Sequence, residues 1–142
     1  MTLTFQTAST LVTEALACAT RSQCKPMTVV VLDAGGHVTA VARQDGSSNK
    51  RFEIAFGKAH GAVSLGMGSR ALMERAEQQA YFIAAATSAI GGALIPVPGG
   101  VLVRATDGTL LGAVGVSGDS SDNDEMVAVT AIEEAGLLAQ AG

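Results

Sequence analysis

At 142 residues and 48% hydrophobic side chains, the chain is long enough to bury a core as one domain, residues 1–142, without disulfide or metal staples. A net charge of −4 supplies no attraction toward nucleic acid or anionic lipid, and neither is expected as a partner. There is no basic-then-apolar leader and no run near the roughly 18 apolar residues of a membrane span, so the chain reads as a soluble cytoplasmic protein.

Aromatic residues make up 4% of the chain and Trp is absent, so the core must be built from Ala, Val, Leu and Ile at close backbone spacing. The 17 glycines suit tight packing and contacts between copies. Cys18 and Cys24 fit neither a C-x-x-C pair nor a zinc set, and read as reduced structural thiols.

Thr4 is placed to cap a first helix, because Phe5, Ala8, Leu11, Val12, Ala15, Leu16 and Ala19 recur at three and four residues. The helix must end before Pro26. Thr28 to Leu32 is a β-branched run, uniformly apolar after Thr28, and predicts a strand inside a sheet, closed by Asp33-Ala34-Gly35-Gly36. His37 to Arg43 predicts the next strand, with His37, Thr39, Val41 and Arg43 on one face. A polar loop then leads into a helix whose apolar stripe reads Phe52, Ala55, Phe56, Ala59 and Val63.

Ser69 is a candidate cap for a further helix, and an Ala-rich helix follows from Tyr81 to Ile90, where Tyr81 and Phe82 are expected to pack and Gly91-Gly92 to terminate. Two apolar runs flank Asp107-Gly108, which predicts a hairpin at the centre of the sheet. Ahead of it, Pro96, Pro98, Gly99 and Gly100 cannot form regular strand, yet can lie against another backbone or a ligand. Asp119, Asp122, Asp124 and Glu125 read as solvated acids at the start of a last helix, whose buried face would be Ala128, Ala131, Ile132, Ala135 and Leu138.

The chemistry-bearing residues concentrate on the helix after the polar loop. Glu53 and His60 lie seven residues apart, about two turns, so a carboxylate and an imidazole share one flank, and Lys58 adds a cation. Gly57-Lys58 is not a phosphate loop, since Phe52 and Ala59 occupy the Gly and Ser/Thr positions. Gly112, Gly115 and Gly118 have the wrong spacing for a dinucleotide fold. The order of elements points to an α+β domain with an antiparallel sheet covered by helices.

Val31-Leu32-Asp33-Ala34-Gly35-Gly36-His37, Ala55-Phe56-Gly57-Lys58-Ala59, Ile95-Pro96-Val97-Pro98-Gly99-Gly100-Val101, Leu111 to Gly118 and Asp122 to Glu125 together resemble the GlcG/HbpS-like family, which includes the C-terminal domain of PduO-type proteins. The resemblance runs from about Leu3 to Leu138. It implies a five-stranded antiparallel sheet with helices on its faces, in a profilin/PAS-like layout, assembled as a homo-oligomer from dimer to octamer. It also implies haem or tetrapyrrole binding, with slow haem degradation in some members. The chain departs from the family's pattern where His60-Gly61 follows Lys58-Ala59.

Under a haem reading, His60 or His37 would ligate iron, and Lys58, Arg43 or Arg51 would meet the propionates. Under an enzyme reading, Glu53 or His60 would carry a proton for an organic acid in a catabolic pathway. Lys58 or Arg43 would hold its carboxylate, and the Gly99-Gly100 amides would stabilise an enolate-like charge. A structural oligomer without ligand is the third reading. The first two place the site between the Lys58 helix and the Pro98-Gly99-Gly100 turn.

Overall fold

A computed structural model describes residues 2–142; Met1 lies outside the described residues. Five strands, β1 (Thr28–Asp33), β2 (Val38–Arg43), β3 (Gly100–Arg104), β4 (Leu110–Ser117) and β5 (Leu138–Gln140), form an antiparallel sheet in the order β2-β1-β4-β3-β5. Helices α1 (Phe5–Arg21), α2 (Arg51–Leu65), α3 (Ser69–Gln78), α4 (Ala80–Ala89) and α5 (Ser121–Glu134) surround it.

Alternation along each strand sends successive side chains to opposite faces, and both faces are covered. Val29, Val31, Val101, Val103, Val114 and Val116 meet α1 and α5 on one side. Val30, Leu32, Leu102 and Ala113 meet Ala55, Ala59 and Ala62 of α2 on the other. Covering on both sides is why Val29 to Leu32 can be apolar without a break. The hairpin expected around Asp107-Gly108 forms from β3 and β4, with β4 the middle strand and the Asp107 carboxylate accepting the Thr109 N–H at 2.9 Å.

The Thr4 hydroxyl accepts the Thr7 N–H at 3.1 Å and caps α1, as its position predicts. Four local expectations are corrected. Ser69 does not cap α3, because Gly68 holds the cap position and the Ser69 hydroxyl turns inward, accepting the Gly100 N–H at 2.7 Å. Tyr81 does not pack, since α4 buries Ile83 and Ala86 and leaves the Tyr81 ring 72% exposed on its outer side. Leu138 does not lie on the last helix: Gly136 takes φ +78° and breaks it, and Leu138 enters β5 opposite Arg104. Phe52 is exposed rather than core, because the side of α2 that meets the sheet carries Ala55, Ala59 and Ala62, and Gly57 and Gly61 meet Ile95 and Leu94. Small residues let this helix lie close to the strands and turn its aromatic side chains outward.

Candidate functional site

Residue type decides where α2 points its functional side chains. Phe52, Phe56 and His60 are spaced by four and stand above one another on one flank. Phe52 and Phe56 stack with ring centroids 5.8 Å apart, and Phe56 and His60 stack at 5.2 Å. Beside the two phenylalanines lies a cleft of about 520 Å³, lined by Phe52, Glu53, Phe56 and Gly57 on α2 and by the segment from Gly91 to Ile95. Two hydrogen bonds hold that segment to α2. The Ile95 N–H donates to the Gly57 carbonyl at 3.1 Å, and His60 Nδ1 lies 2.8 Å from the Ala93 carbonyl oxygen.

The second bond selects the tautomer of the neutral imidazole. A carbonyl can only accept, so Nδ1 carries the hydrogen and Nε2 of the neutral ring keeps its lone pair. Nε2 sits on the side of Gly36, whose missing side chain leaves room beside it. His60 borders the cleft through Phe56 and Ala93 without lining it.

Lys58 behaves differently from the expectation that it faces an open pocket. Its side chain is 2% exposed, with Nζ donating to the Asp124 carboxylate and to the Val116 carbonyl, both at 2.9 Å. Burial pushes the Lys58 ammonium below its ordinary range while the Asp124 charge works against that shift. Burial likewise pushes the Asp124 carboxyl up against the pull of Lys58. Asp124 is therefore a buried partner and not one of a set of solvated acids, and its other oxygen accepts the Asp119 N–H at 3.0 Å.

The Pro98-Gly99-Gly100 turn closes over this pair. Gly99 adopts φ +125°, and a Cβ there would stand 2.8 Å from Lys58 Nζ, while one on Gly100 would collide with the Lys58 carbonyl. Backbone thus fills the space where a pocket was expected. The glycines serve the close approach of two chain segments, and the cleft opens one turn earlier on α2.

The remaining candidates lie apart. Arg43 is exposed on β2, donates to the Ser47 carbonyl, and lines a separate open depression with Cys24, Pro26, Gln44 and Asp45. His37 is 80% exposed and its Nδ1 lies 3.1 Å from Asp33, beside a smaller hollow of about 300 Å³. Arg51 bonds Ser48 and Ser117. Glu53 alone of the catalytic candidates lines the cleft, with Lys50 3.6 Å from its carboxylate. Sequence reasoning passed over the four-residue spacing of Phe52, Phe56 and His60, which was visible, and the Ala93 carbonyl, which carries no side-chain signal.

The chain is an α+β domain with one antiparallel sheet covered on both faces and a glycine-paved turn set against α2. The profile of the family described as haem degrading protein HbpS-like matches residues 3–133, and the chain belongs to it. Its fold is similar to that of the PduOC:haem complex, at 28% identity over 94% of each chain with a TM-score of 0.83. A double mutant of Streptomyces reticuli HbpS is similar at 26% identity over 94% of this chain and 87% of that one, TM-score 0.80. Klebsiella pneumoniae ORFY shares the fold at 23% identity, covering 94% of this chain and 90% of that one, TM-score 0.84. No curated protein matches the chain.

Proposed function

We propose that this protein binds haem on the outer flank of α2, with His60 Nε2 as the axial ligand on the side of Gly36. The observation that carries the reading is the His60–Ala93 bond, because it orients the ring and leaves the Nε2 lone pair on the side of Gly36. Among the described residues no three His, Cys, Asp or Glu side chains come together as a ligand set. An iron already held by four pyrrole nitrogens asks the protein for only one or two ligands, so haem suits this donor supply better than a bare ion. The PduOC:haem relative supports the same ligand class. When bound, haem would supply redox chemistry at iron; the chain's own contribution is to orient the imidazole and cover the ring.

The protein works, in this reading, as a cytoplasmic homo-oligomer. α4 contains no charged residue and turns Ala80, Tyr81, Ala84, Ala85 and Ala89 to its outer side, which supports contact through that helix. Among the described residues no helix is long and apolar enough to cross a membrane. A second reading, an acid-base enzyme for a small organic acid, rests on the Glu53 carboxylate in the cleft.

Haem titration tests the first reading. Wild-type protein and His37→Ala should give a saturable Soret shift, and His60→Ala should lose it. A wild-type protein without a saturable shift, or a His60→Ala variant indistinguishable from it, would overturn the assignment. In the second reading, His60→Ala leaves weak haem association unchanged, and Glu53→Gln abolishes turnover of the acid.

A further inference from the structure

The two edges of the sheet are finished differently. At the β5 edge the start of α3 lies against the chain: the Arg70 N–H donates to the Ala141 carbonyl at 3.3 Å, and a Cβ on Gly68 would collide with that carbonyl. At the other edge β2 pairs with β1 alone, and among the described residues no backbone hydrogen bond reaches its outer side. The Gln44 N–H donates to the Met27 carbonyl at 2.9 Å, so the alternation of an antiparallel ladder turns Ala42 toward β1 and leaves the N–H and C=O of Val41 and Arg43 facing outward. The same edge gathers apolar surface. Of the six large hydrophobic side chains left exposed among the described residues, Phe5, Val38 and Val41 stand here, 69%, 50% and 41% exposed. A groove of about 290 Å³ between α1 and the strand has Phe5, Val12, Ala40 and Val41 among its lining. β2 holds no Pro or Lys to blunt its edge, and its one formal charge is Arg43.

Resting on the homo-oligomer reading above, we infer that β2 pairs antiparallel with β2 of a second copy across a twofold axis at Val41, joining the two five-stranded sheets into one. A row of unpaired strand donors and acceptors is matched by another extended chain, and a second β2 matches it by symmetry: each Val41 N–H meets the C=O of the other. The register shift opposite Val31 and Leu32 confines the regular run to residues 40–43, and the exposed Phe5 and Val38 side chains of both copies border it. Charge selects the antiparallel sense. Parallel strands would set Arg43 beside Arg43, whereas antiparallel strands place the two guanidinium groups on opposite sides of the axis. Each then points along the half of the partner strand that follows Asp33 and His37, whose carboxylate and imidazole are already paired at 3.1 Å. This contact uses a different face from α4, and it leaves His60 untouched.

Hydrogen exchange at the Val41 amide, read together with mass from light scattering, tests the pairing in wild-type, Val41→Lys, Val41→Pro and Ala84→Glu protein. Ala42, whose N–H faces β1, is the check that each variant keeps the sheet. In wild type, raising the protein concentration through the assembly range should slow Val41 exchange by at least about fivefold, the change expected for one hydrogen bond gained, with Ala42 slow throughout. Val41→Lys adds a charge at the axis and Val41→Pro removes the outward donor, so both should lower the mass while Ala42 stays protected. Ala84→Glu should leave Val41 protected. An assembled wild-type protein whose Val41 amide exchanges freely, or Val41 variants with unchanged mass, would overturn the β2 contact and leave the oligomer standing. A wild-type monomer would overturn the oligomer reading and this contact with it, and would reserve the edge for a strand from another protein.

Discussion

Replacing Lys58 by Met removes a cation from a site where its partner has nowhere to go. Both side chains of the Lys58–Asp124 pair are 2% exposed, and after the substitution the Asp124 carboxylate keeps the Asp119 N–H at 3.0 Å but has lost its counter-charge. Breaking such a buried pair from one side costs about 3–5 kcal/mol, whereas an exposed pair is worth at most about 1 kcal/mol. At roughly 2–4 °C per kcal/mol for a chain near this size, Lys58→Met should lower Tm by about 6–20 °C. The double variant Lys58→Met/Asp124→Asn should recover more than half of the loss, because Asn neutralises the site and can still accept from Asp119. Urea unfolding with all four members of the cycle measures this directly. A single-variant loss below about 1 kcal/mol would mean that the ammonium reaches water, and the buried-pair argument would be wrong.

The acid limb of stability should depend on Asp119. Its carboxylate accepts the Lys25 N–H at 2.7 Å, the Asn123 side-chain N–H at 2.9 Å and the Ser120 N–H at 2.7 Å, which together, the Lys25 bond foremost, hold it down to about 2 from an ordinary 3.8. A lowered folded value contributes stability that is present above the ordinary value and lost as pH falls toward about 2. Asp119→Asn should therefore flatten the stability-versus-pH curve across that window in urea titrations, and an unchanged slope would contradict the assignment. If copies meet through α4, Ala84→Glu should lower the mass seen by light scattering while circular dichroism stays native; a wild-type monomer of about 14.3 kDa would remove the oligomer altogether.

How much of this was legible depended on whether a local pattern or a distant partner decided the outcome. Thr28 to Leu32, the Asp107-Gly108 hairpin and the Thr4 cap are local patterns, and each appears as expected. Lys58 and Asp124 are 66 residues apart, and nothing in either neighbourhood announces that two charges will be buried together. The acids near Asp124 made it look like one more solvated cap residue. Leu138 continued the apolar spacing of α5, so Gly136 was outvoted by periodicity when its positive φ should have ended the helix. The family resemblance carried the sheet, whereas the lack of donors and side chains at Pro96, Pro98, Gly99 and Gly100 drew the expected site to the glycine turn, where backbone contact uses the space.

The grouping of Lys58 with His60 in one pocket fails for a geometric reason that the sequence contains. Two residues along a helix turn the side chain through about 200°, so positions 58 and 60 face opposite ways, whereas positions 53 and 60 differ by seven residues and realign to within about 20°. α2 therefore does two jobs on two sides. Its inner side sets Lys58 beneath Val116 and Gly99 and brings Ala55 and Ala59 onto the sheet, while its outer flank presents Glu53, Phe56 and His60. Because the inner side is fixed by backbone contacts at Gly99 and Gly100, the helix cannot roll to exchange these roles without colliding with the turn. That rigidity lets the outer flank vary in sequence without loss of fold, and it predicts that changes at Lys58 register in stability while changes at His60 register in ligand binding.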